Sequence, residues 1–230
     1  MKSNKIFLLL VLLGLVACGK DGGGGSGGGS GIAQNTSQEM VEATPGTYYT
    51  VLRPVNFHAN GFIPYGSATF TLTGDELQVT TNMDDDQPVT HRQTLHMGTR
   101  CPTLADDTNG DTFIDYQEAQ KVVGPALMPL DADLNSQSTG EEVYPRGSSM
   151  TYKKSASLSM INSDLWQADD DPSDNVIKLA QGKGIGFEGR VILVHGTTAQ
   201  SSFPSSLASY KAEAAHLSLP VVCGVLGKID

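Results

Sequence analysis

Three cysteines constrain the fold of this 230-residue chain more than any other feature of its sequence. Cys18 directly follows an apolar segment at the N-terminus, and the other two are Cys101 and Cys223. In an exported protein, an even number of remaining cysteines most simply forms a disulfide. The alternative is two buried free thiols, which an oxidising compartment disfavours. One bridge would tie the middle of the chain to its C-terminal end.

The N-terminus has the organisation of an export signal. Two lysines, at positions 2 and 5, precede an apolar stretch of 11 residues, 6–16. A membrane-spanning helix needs roughly 20 apolar residues, so this stretch predicts a cleavable signal. An ordinary secretory signal and a buried helix are the alternatives. Small residues flank Cys18, and a cysteine at the cleavage point is typical of a bacterial lipoprotein. We therefore expect residues 1–17 to be removed and Cys18 to be lipidated.

The sequence after Cys18 predicts a tether and then one folded domain. Residues 22–30 read GGGGSGGGS, a composition that forms flexible coil. We expect the tether to cover residues 18–44 and a β domain to cover residues 45–230, which is long enough for a real core. The lipid on Cys18 is then the expected link to the membrane of a bacterial cell envelope. The glycine after it favours an outer membrane, if the source has two membranes.

The charge balance limits the partners of this domain. The chain has 25 acidic and 15 basic side chains, a net charge of −10. This excess of negative charge disfavours nucleic acid and anionic membrane surfaces as partners and is compatible with cation binding. The sequence does not identify a protein partner.

The sequence of the predicted domain has the alternation of β-strands. Residues 66–72 and 77–81 alternate on either side of a turn at residues 73–76, which predicts a hairpin. Other strand-like segments are 47–55, 89–97, 150–161, 175–179, 189–195 and 219–226, and helical patterns are confined to 116–123 and 206–216. This pattern predicts an all-β fold: an antiparallel Greek-key β-sandwich or barrel with long loops and one or two short helices.

Two C-terminal segments resemble the end of copper/zinc superoxide dismutases. Residues 189–195 read GRVILVH, and residues 219–227 read LPVVCGVLG. In that family, such strands carry a copper-binding histidine and one half of an intrasubunit disulfide. The other half follows a strand that resembles residues 94–98, TLHMG. The resemblance implies a superoxide-dismutase-like fold, a Cys101–Cys223 disulfide, and copper-ligand positions at His96 and His195.

The sequence departs from that family at the metal site. Thr94 stands where a second copper-binding histidine is expected, and the sequence between His96 and His195 contains no histidine. Pro220 stands where the family has an arginine that guides superoxide. Because redox copper requires several imidazoles, we predict no catalytic residues and a function in binding or envelope association.

Two alternative functions remain open at this point. One is a copper-dependent superoxide dismutase, in which His91 or His216 joins His96 and His195 as a copper ligand. The other is a purely structural envelope module of the chordin type.

Residues 107–118, DTNGDTFIDYQE, resemble an EF-hand calcium loop. Such a loop supplies six to eight oxygens around one cation. Thr112 occupies the sixth position, where glycine is usual, and a left-handed threonine costs on the order of 1 kcal/mol. We therefore predict one structural calcium site, with a solvated acidic turn as the alternative. The ligands would be Asp107, Asn109, Asp111, the carbonyl of Phe113, Asp115 and Glu118.

The acidic sequences at 84–86 and 169–174 are less specific. They are typical of solvated loops, and a second cation site is the alternative reading of either one.

Overall fold

The computed structural model describes residues 41–58, 62–135, 143–167 and 177–230. The predicted signal peptide, Cys18 and most of the predicted tether lie outside the described residues. The described residues belong to one compact unit, Glu39–Asp230.

Strands dominate this unit, and its helices are short. The strands are β1 (Gly46–Pro54), β2 (Tyr65–Thr73), β3 (Glu76–Asp84), β4 (Gln93–His96), β5 (Ala126–Pro129), β6 (Ser149–Ser157), β7 (Val191–His195), β8 (Pro220–Val225) and β9 (Gly227–Lys228). The helices are α1 (Tyr116–Val123), α2 (Leu158–Gln167) and α3 (Ala215–Ser218), with a 3₁₀ turn at Leu104–Asp106.

The strands form one curled antiparallel sheet in the order β5-β4-β7-β8-β1-β2-β3-β6, with β9 also paired to β1. Hairpins join β1 to β2 and β2 to β3, after which the chain crosses to the opposite end of the order to form β4. Strand β6 later returns to pair with β3, and β8 returns to pair with β1. These long returns between hairpins are Greek-key connections. The predicted all-β antiparallel fold is confirmed.

The main core lies on one face of the sheet. Residues of β1, β2 and β3 alternate between this buried face and the opposite, more exposed face. Tyr48 and Leu52 of β1 are buried, whereas Tyr49 and Val51 between them face outward. Phe187, from the loop before β7, is fully buried against this layer, with its ring centroid 5.5 Å from that of Tyr48. Burial of each such aromatic side chain contributes about 1.5–3 kcal/mol.

Strand β6 forms one end of the sheet order and contacts only β3 among the described strands. Its inward residues include Met150 and Tyr152, which are buried. Its other residues are mostly polar, and the consecutive Lys153 and Lys154 near its centre are both exposed, on opposite faces of the strand.

Several sequence-based elements or boundaries are wrong. Residues 177–179 of the strand-like segment 175–179 form no strand, and the segment predicted at 89–97 shortens to Gln93–His96. The strand predicted at 150–161 ends at Ser157, where Asp75 in the β2–β3 turn accepts the backbone N–H of Ser159 (2.8 Å) at the start of α2. Helix α2 then buries Ile161 and Leu165, which are spaced one helical turn apart. At Ser157 the spacing of buried residues therefore changes from every second residue, as in a strand, to every third or fourth residue, as in a helix.

The helix predicted at 206–216 is also wrong, because only α3 at its end is helical. The backbone N–H groups of Ala208 and Tyr210 donate to the side chains of Asp115 and Ser218, so they are not available for helical hydrogen bonds. Lys211 has a φ of 49°, which a right-handed helix does not allow. Tertiary contacts therefore override the helix propensity of the alanines in this segment.

The Cys101–Cys223 disulfide is confirmed, with a Cα–Cα distance of 5.8 Å across a sequence separation of 122 residues. Cys223 lies in β8 and is 1 % exposed. The bridge belongs to a small apolar cluster with Val55, Ile114 and Val123, which covers the outer face of β7 and β8. It therefore connects the loop after β4 to the last long strand.

Replacing Cys101 and Cys223 by alanine should lower the free energy of unfolding by about 2–5 kcal/mol. The reason is that the bridge closes a long loop and restricts the unfolded chain. Denaturant unfolding under oxidising conditions measures the loss. Reduction of the unmodified protein should produce the same loss, and reduction of the alanine variant should produce none. Equal stability of the two proteins under oxidising conditions would contradict a structural role for the bridge.

Candidate functional site

The loop at residues 107–118 folds around its own acidic side chains. The Asp107 carboxylate accepts the N–H groups of Gly110 (2.7 Å) and Thr112 (2.8 Å). Asn109 and Asp111 each accept the N–H group two residues later, both at 2.9 Å. Thr112 has a φ of 73°, so the expected left-handed conformation at the sixth position is confirmed. The chain accepts this local strain to complete the turn.

The last acidic residue of the loop reaches back to its beginning. Glu118 is 3 % exposed, and its Oε1 accepts the backbone N–H (2.6 Å) and the hydroxyl (2.9 Å) of Thr108. Its Oε2 accepts the N–H of Asp115, while the Asp115 carboxylate accepts the N–H of Glu118. This reciprocal pair is a capping box for α1. Glu118 therefore closes the loop and starts the helix at the same time.

Asn56, which the sequence analysis did not single out, anchors the loop to the sheet. Its side-chain oxygen accepts the N–H of Ile114 (2.8 Å), and its amide nitrogen donates to the Ile114 carbonyl (2.9 Å). The same nitrogen donates to the carbonyl of Pro220 at the start of β8 (2.8 Å). Asn56 is 3 % exposed, so these bonds satisfy backbone groups that water does not reach.

A second anchor comes from the long segment between β7 and α3. The hydroxyl of Ser206 donates to Asp111 (2.5 Å), and the N–H of Ala208 donates to Asp115 (3.0 Å). Phe113 packs its ring against Phe203 of the same segment, with centroids 5.5 Å apart. The acidic loop thus lies between the disulfide, β8 and the segment that follows β7.

The donor chemistry of the loop fits calcium, a hard cation that takes oxygen ligands. Residues 107–118 contain four carboxylates and no lysine or arginine. These carboxylates accept N–H groups of their own loop, and no three His, Cys, Asp or Glu side chains converge on a metal position within the described ranges. Calcium binding at this loop therefore stays a prediction.

The two histidines at the predicted copper positions lie on the same side of neighbouring strands. The register pairs Thr94 with Leu193 and His96 with Val191, and the N–H of His195 donates to the Arg92 carbonyl (2.8 Å). His96 is 2 % exposed and His195 is fully buried. They therefore stand at opposite ends of the β4–β7 pairing.

Backbone carbonyls fix the tautomers of both histidines. The Nδ1 atom of His96 lies 3.0 Å from the carbonyl of Gly124, and that of His195 lies 3.3 Å from the carbonyl of Arg92. A carbonyl can only accept, so each Nδ1 carries the hydrogen and each Nε2 presents a lone pair. The Thr94 hydroxyl donates to His96 Nε2 (2.6 Å), whereas His195 Nε2 has no partner in the described part of the chain.

Both imidazoles are neutral at physiological pH. Burial, with a smaller contribution from the charge of Arg92, lowers the pKa of His96 to about 4. Burial holds the pKa of His195 well below its ordinary value, and Arg92 and His96 add to the effect. The dominant cause in both cases is that a charged imidazole would lose its hydration.

The residues around His96 and His195 do not fit the copper set of a dismutase. The lone pair of His96 is occupied by Thr94, and the positive guanidinium of Arg92 acts on both rings. His91 instead presents its Nε2 to the carbonyl of Gly147 (3.0 Å), and no three potential ligands come together among the described residues. We derive no catalytic step from these histidines.

Asp85 is a further buried group, within the acidic run at 84–86. It is 2 % exposed, and neither of its carboxyl oxygens has a hydrogen-bond partner in the described ranges. Burial raises the pKa of Asp85 to about 6, and the charge of Asp86 adds to the rise. An acidic triplet is ordinarily solvated, so no pattern in the sequence indicates this burial.

Scans against protein-family models and a search of curated proteins found no match to this chain. The relationship to superoxide dismutases therefore stays a prediction. Within the described residues, no helix is both long enough and apolar enough to cross a membrane.

Replacing Asn56 by aspartate should lower the free energy of unfolding by about 3 kcal/mol or more. Aspartate keeps the acceptor for the Ile114 N–H but cannot donate to the two carbonyls, and buried unpaired groups cost about 1–3 kcal/mol each. Denaturant unfolding measures the effect. The same change at Asn82, an exposed residue of β3, is the matched control. Equal small losses at both positions would show that Asn56 is not an anchor.

Asp85 should make stability fall as the pH rises. Its folded pKa, about 6, lies above the ordinary 3.8, so the folded state binds more protons between these values. Asp85→Asn should therefore become more stable relative to the unmodified protein, by up to about 3 kcal/mol, as the pH increases from about 4 to 7. Unfolding curves at several pH values measure this difference.

The exposed Glu188, changed to glutamine, serves as the control for loss of one carboxylate. A difference between Asp85→Asn and the unmodified protein that is constant across this pH range would contradict the assignment.

Proposed function

We propose that this chain is a lipid-anchored protein of a bacterial cell envelope, whose exported β domain binds calcium at residues 107–118. The bound ion would stabilise the surface around the disulfide, and the domain would act by binding or envelope association rather than by catalysis. The lipid on Cys18 would hold the domain at the membrane.

The observation that carries the calcium proposal is the backbone of the acidic loop. The turn at Thr112 is left-handed, and oxygen-bearing groups stand at the six positions that an EF-hand-type loop uses. Four carboxylates crowd into twelve residues, and no lysine or arginine lies among them. A divalent cation would relieve their mutual repulsion.

The proposed ligands are the carboxylates of Asp107, Asp111, Asp115 and Glu118, with the side-chain oxygen of Asn109 and the carbonyl of Phe113. Glu118 is the most informative of them, because its carboxylate already joins the end of the loop to its beginning. Asp111 and Asp115 also contact Ser206 and Ala208, so the ion would strengthen the attachment of the segment before α3.

The exported environment supports a weak site of this kind. Extracellular calcium modules work with dissociation constants of about 10⁻⁴–10⁻³ M, so a strained loop can still fill there. The disulfide independently indicates an oxidising compartment.

Calcium at millimolar concentration should raise the melting temperature of the full chain, and a chelator should reverse the rise. Glu118→Gln should weaken calcium binding by about tenfold or more, because the loop loses a charged ligand that would contact the ion directly. Isothermal titration calorimetry measures the affinity and differential scanning fluorimetry measures the stability. Glu188→Gln, which removes one exposed charge elsewhere, should bind calcium like the unmodified protein.

Thr112→Gly tests the same site in the opposite direction. Glycine adopts a left-handed conformation without the threonine strain of about 1 kcal/mol, so calcium affinity should rise by up to about fivefold if binding tightens the turn. A melting temperature indifferent to both calcium and chelator in the unmodified protein would overturn the proposal.

A further inference from the structure

The guanidinium of Arg92 is buried without a negative partner. Arg92 is 6 % exposed, its Nε has no hydrogen-bond partner, and it forms no ion pair with a described residue. An arginine is charged at every physiological pH, and a buried charge is strongly unfavourable unless it is paired and hydrogen-bonded. The only ion pair between described residues joins Arg100 to Asp106 on the surface near the disulfide. The Nε–H of Arg92 therefore lacks the acceptor that its burial requires.

Two tyrosines hold the guanidinium in place. Its central carbon lies 3.8 Å from the ring centroid of Tyr210 and 5.2 Å from that of Tyr116. Stacking of this kind stabilises the charge through the ring faces. It leaves the Nε–H of Arg92 without a hydrogen-bond partner among the described residues, and the guanidinium N–H groups form a fork that matches a planar or tetrahedral oxyanion.

His195 has the opposite deficiency and lies beside the same tyrosine, Tyr116. Its Nδ1 carries the hydrogen that faces the Arg92 carbonyl, so its buried Nε2 presents a lone pair with no donor. Its ring centroid lies 6.0 Å from that of Tyr116, the ring that also contacts the guanidinium. Among the described residues, the region thus lacks an acceptor for Arg92 Nε and a donor for His195 Nε2.

We propose that Arg92 and His195 bind a small oxyanion that retains a hydrogen, the chemistry shared by bicarbonate and monohydrogen phosphate. Two oxygens of the anion would accept from the guanidinium fork, and its hydroxyl would donate to His195 Nε2. A metal cation is disfavoured here because the guanidinium would repel it. The arginine position implied by the resemblance is Pro220, so that resemblance does not assign this site. The proposal is independent of the calcium loop.

Phosphate and sulfate distinguish the two halves of this site, because only phosphate carries a hydrogen at neutral pH. Titration calorimetry on the full chain, with calcium absent and ionic strength held constant with sodium chloride, should show phosphate binding at millimolar concentration or tighter. Sulfate should bind at least about tenfold more weakly, because His195 Nε2 would remain unpaired. Bicarbonate, tested in the same way, should compete with phosphate.

Variants of Arg92 test the charge and the fork separately. Arg92→Gln should weaken phosphate binding by at least about tenfold, since a charge-assisted pair is lost. Arg92→Lys keeps the charge and protects against a folding defect, yet it should also weaken binding because lysine has no bidentate fork. Arg53→Gln, at an exposed residue of β1, should bind phosphate like the unmodified protein.

Two results would overturn the proposal. One is no phosphate binding by the unmodified, folded protein. The other is equal phosphate affinity in the unmodified protein and in a folded Arg92→Lys or Arg92→Gln variant, which would place the anion elsewhere. Equal affinity for sulfate and phosphate would remove His195 from the site.

Discussion

The disulfide between Cys101 and Cys223 is the constraint on which the functional surface depends. The loop after β4 has little regular structure of its own, and the bridge holds it against β8. Ile114 and Val123 then pack with the bridge over the outer face of the sheet. This packing fixes both ends of the acidic loop, and Asn56 fixes its centre. An EF-hand loop is normally flanked by two helices, and here only α1 follows the loop. The disulfide and the three hydrogen bonds of Asn56 hold the loop in place of the missing first helix.

The two polar regions beside this bridge have opposite electrostatic requirements. The acidic loop concentrates four carboxylates near the surface and favours a cation. The region around Arg92 buries a guanidinium among neutral imidazoles and tyrosines, and it favours an anion. Helix α1 connects them, because Tyr116 follows Asp115 directly and contacts His195. The proposed calcium ion and the proposed anion would therefore both bind near the first residues of α1, the calcium on the side of Asp115 and the anion on the side of Tyr116.

Local patterns in the sequence predicted the parts of the structure that local chemistry determines. The β2–β3 hairpin and strand β1 followed from alternation and residue type, the disulfide from the number of cysteines beyond a predicted export signal, and the left-handed turn at Thr112 from its place in the loop. The stacking of the Arg92 guanidinium on Tyr210 joins residues that are distant in sequence, so no local sequence pattern predicts this contact. The same is true of Asn56 and Ile114, and of the burial of Asp85. The segment 206–216 shows the reverse error, since its alanines favour a helix that contacts with Asp115 and Ser218 prevent.

Strand β6, at one end of the sheet order, has a consequence for aggregation between copies of the chain. Within the described ranges, the nine-residue strand β6 pairs only with β3, and backbone groups on its other side could pair with a neighbouring copy and extend the sheet from one molecule into the next. Lys153 and Lys154 are exposed on opposite faces of β6, and a second copy paired along this strand would bring two more lysines close to them. Repulsion between these lysines opposes edge-to-edge aggregation. This protection would matter most for molecules held on a membrane surface, as the proposed lipid on Cys18 would hold them, because identical chains meet frequently there.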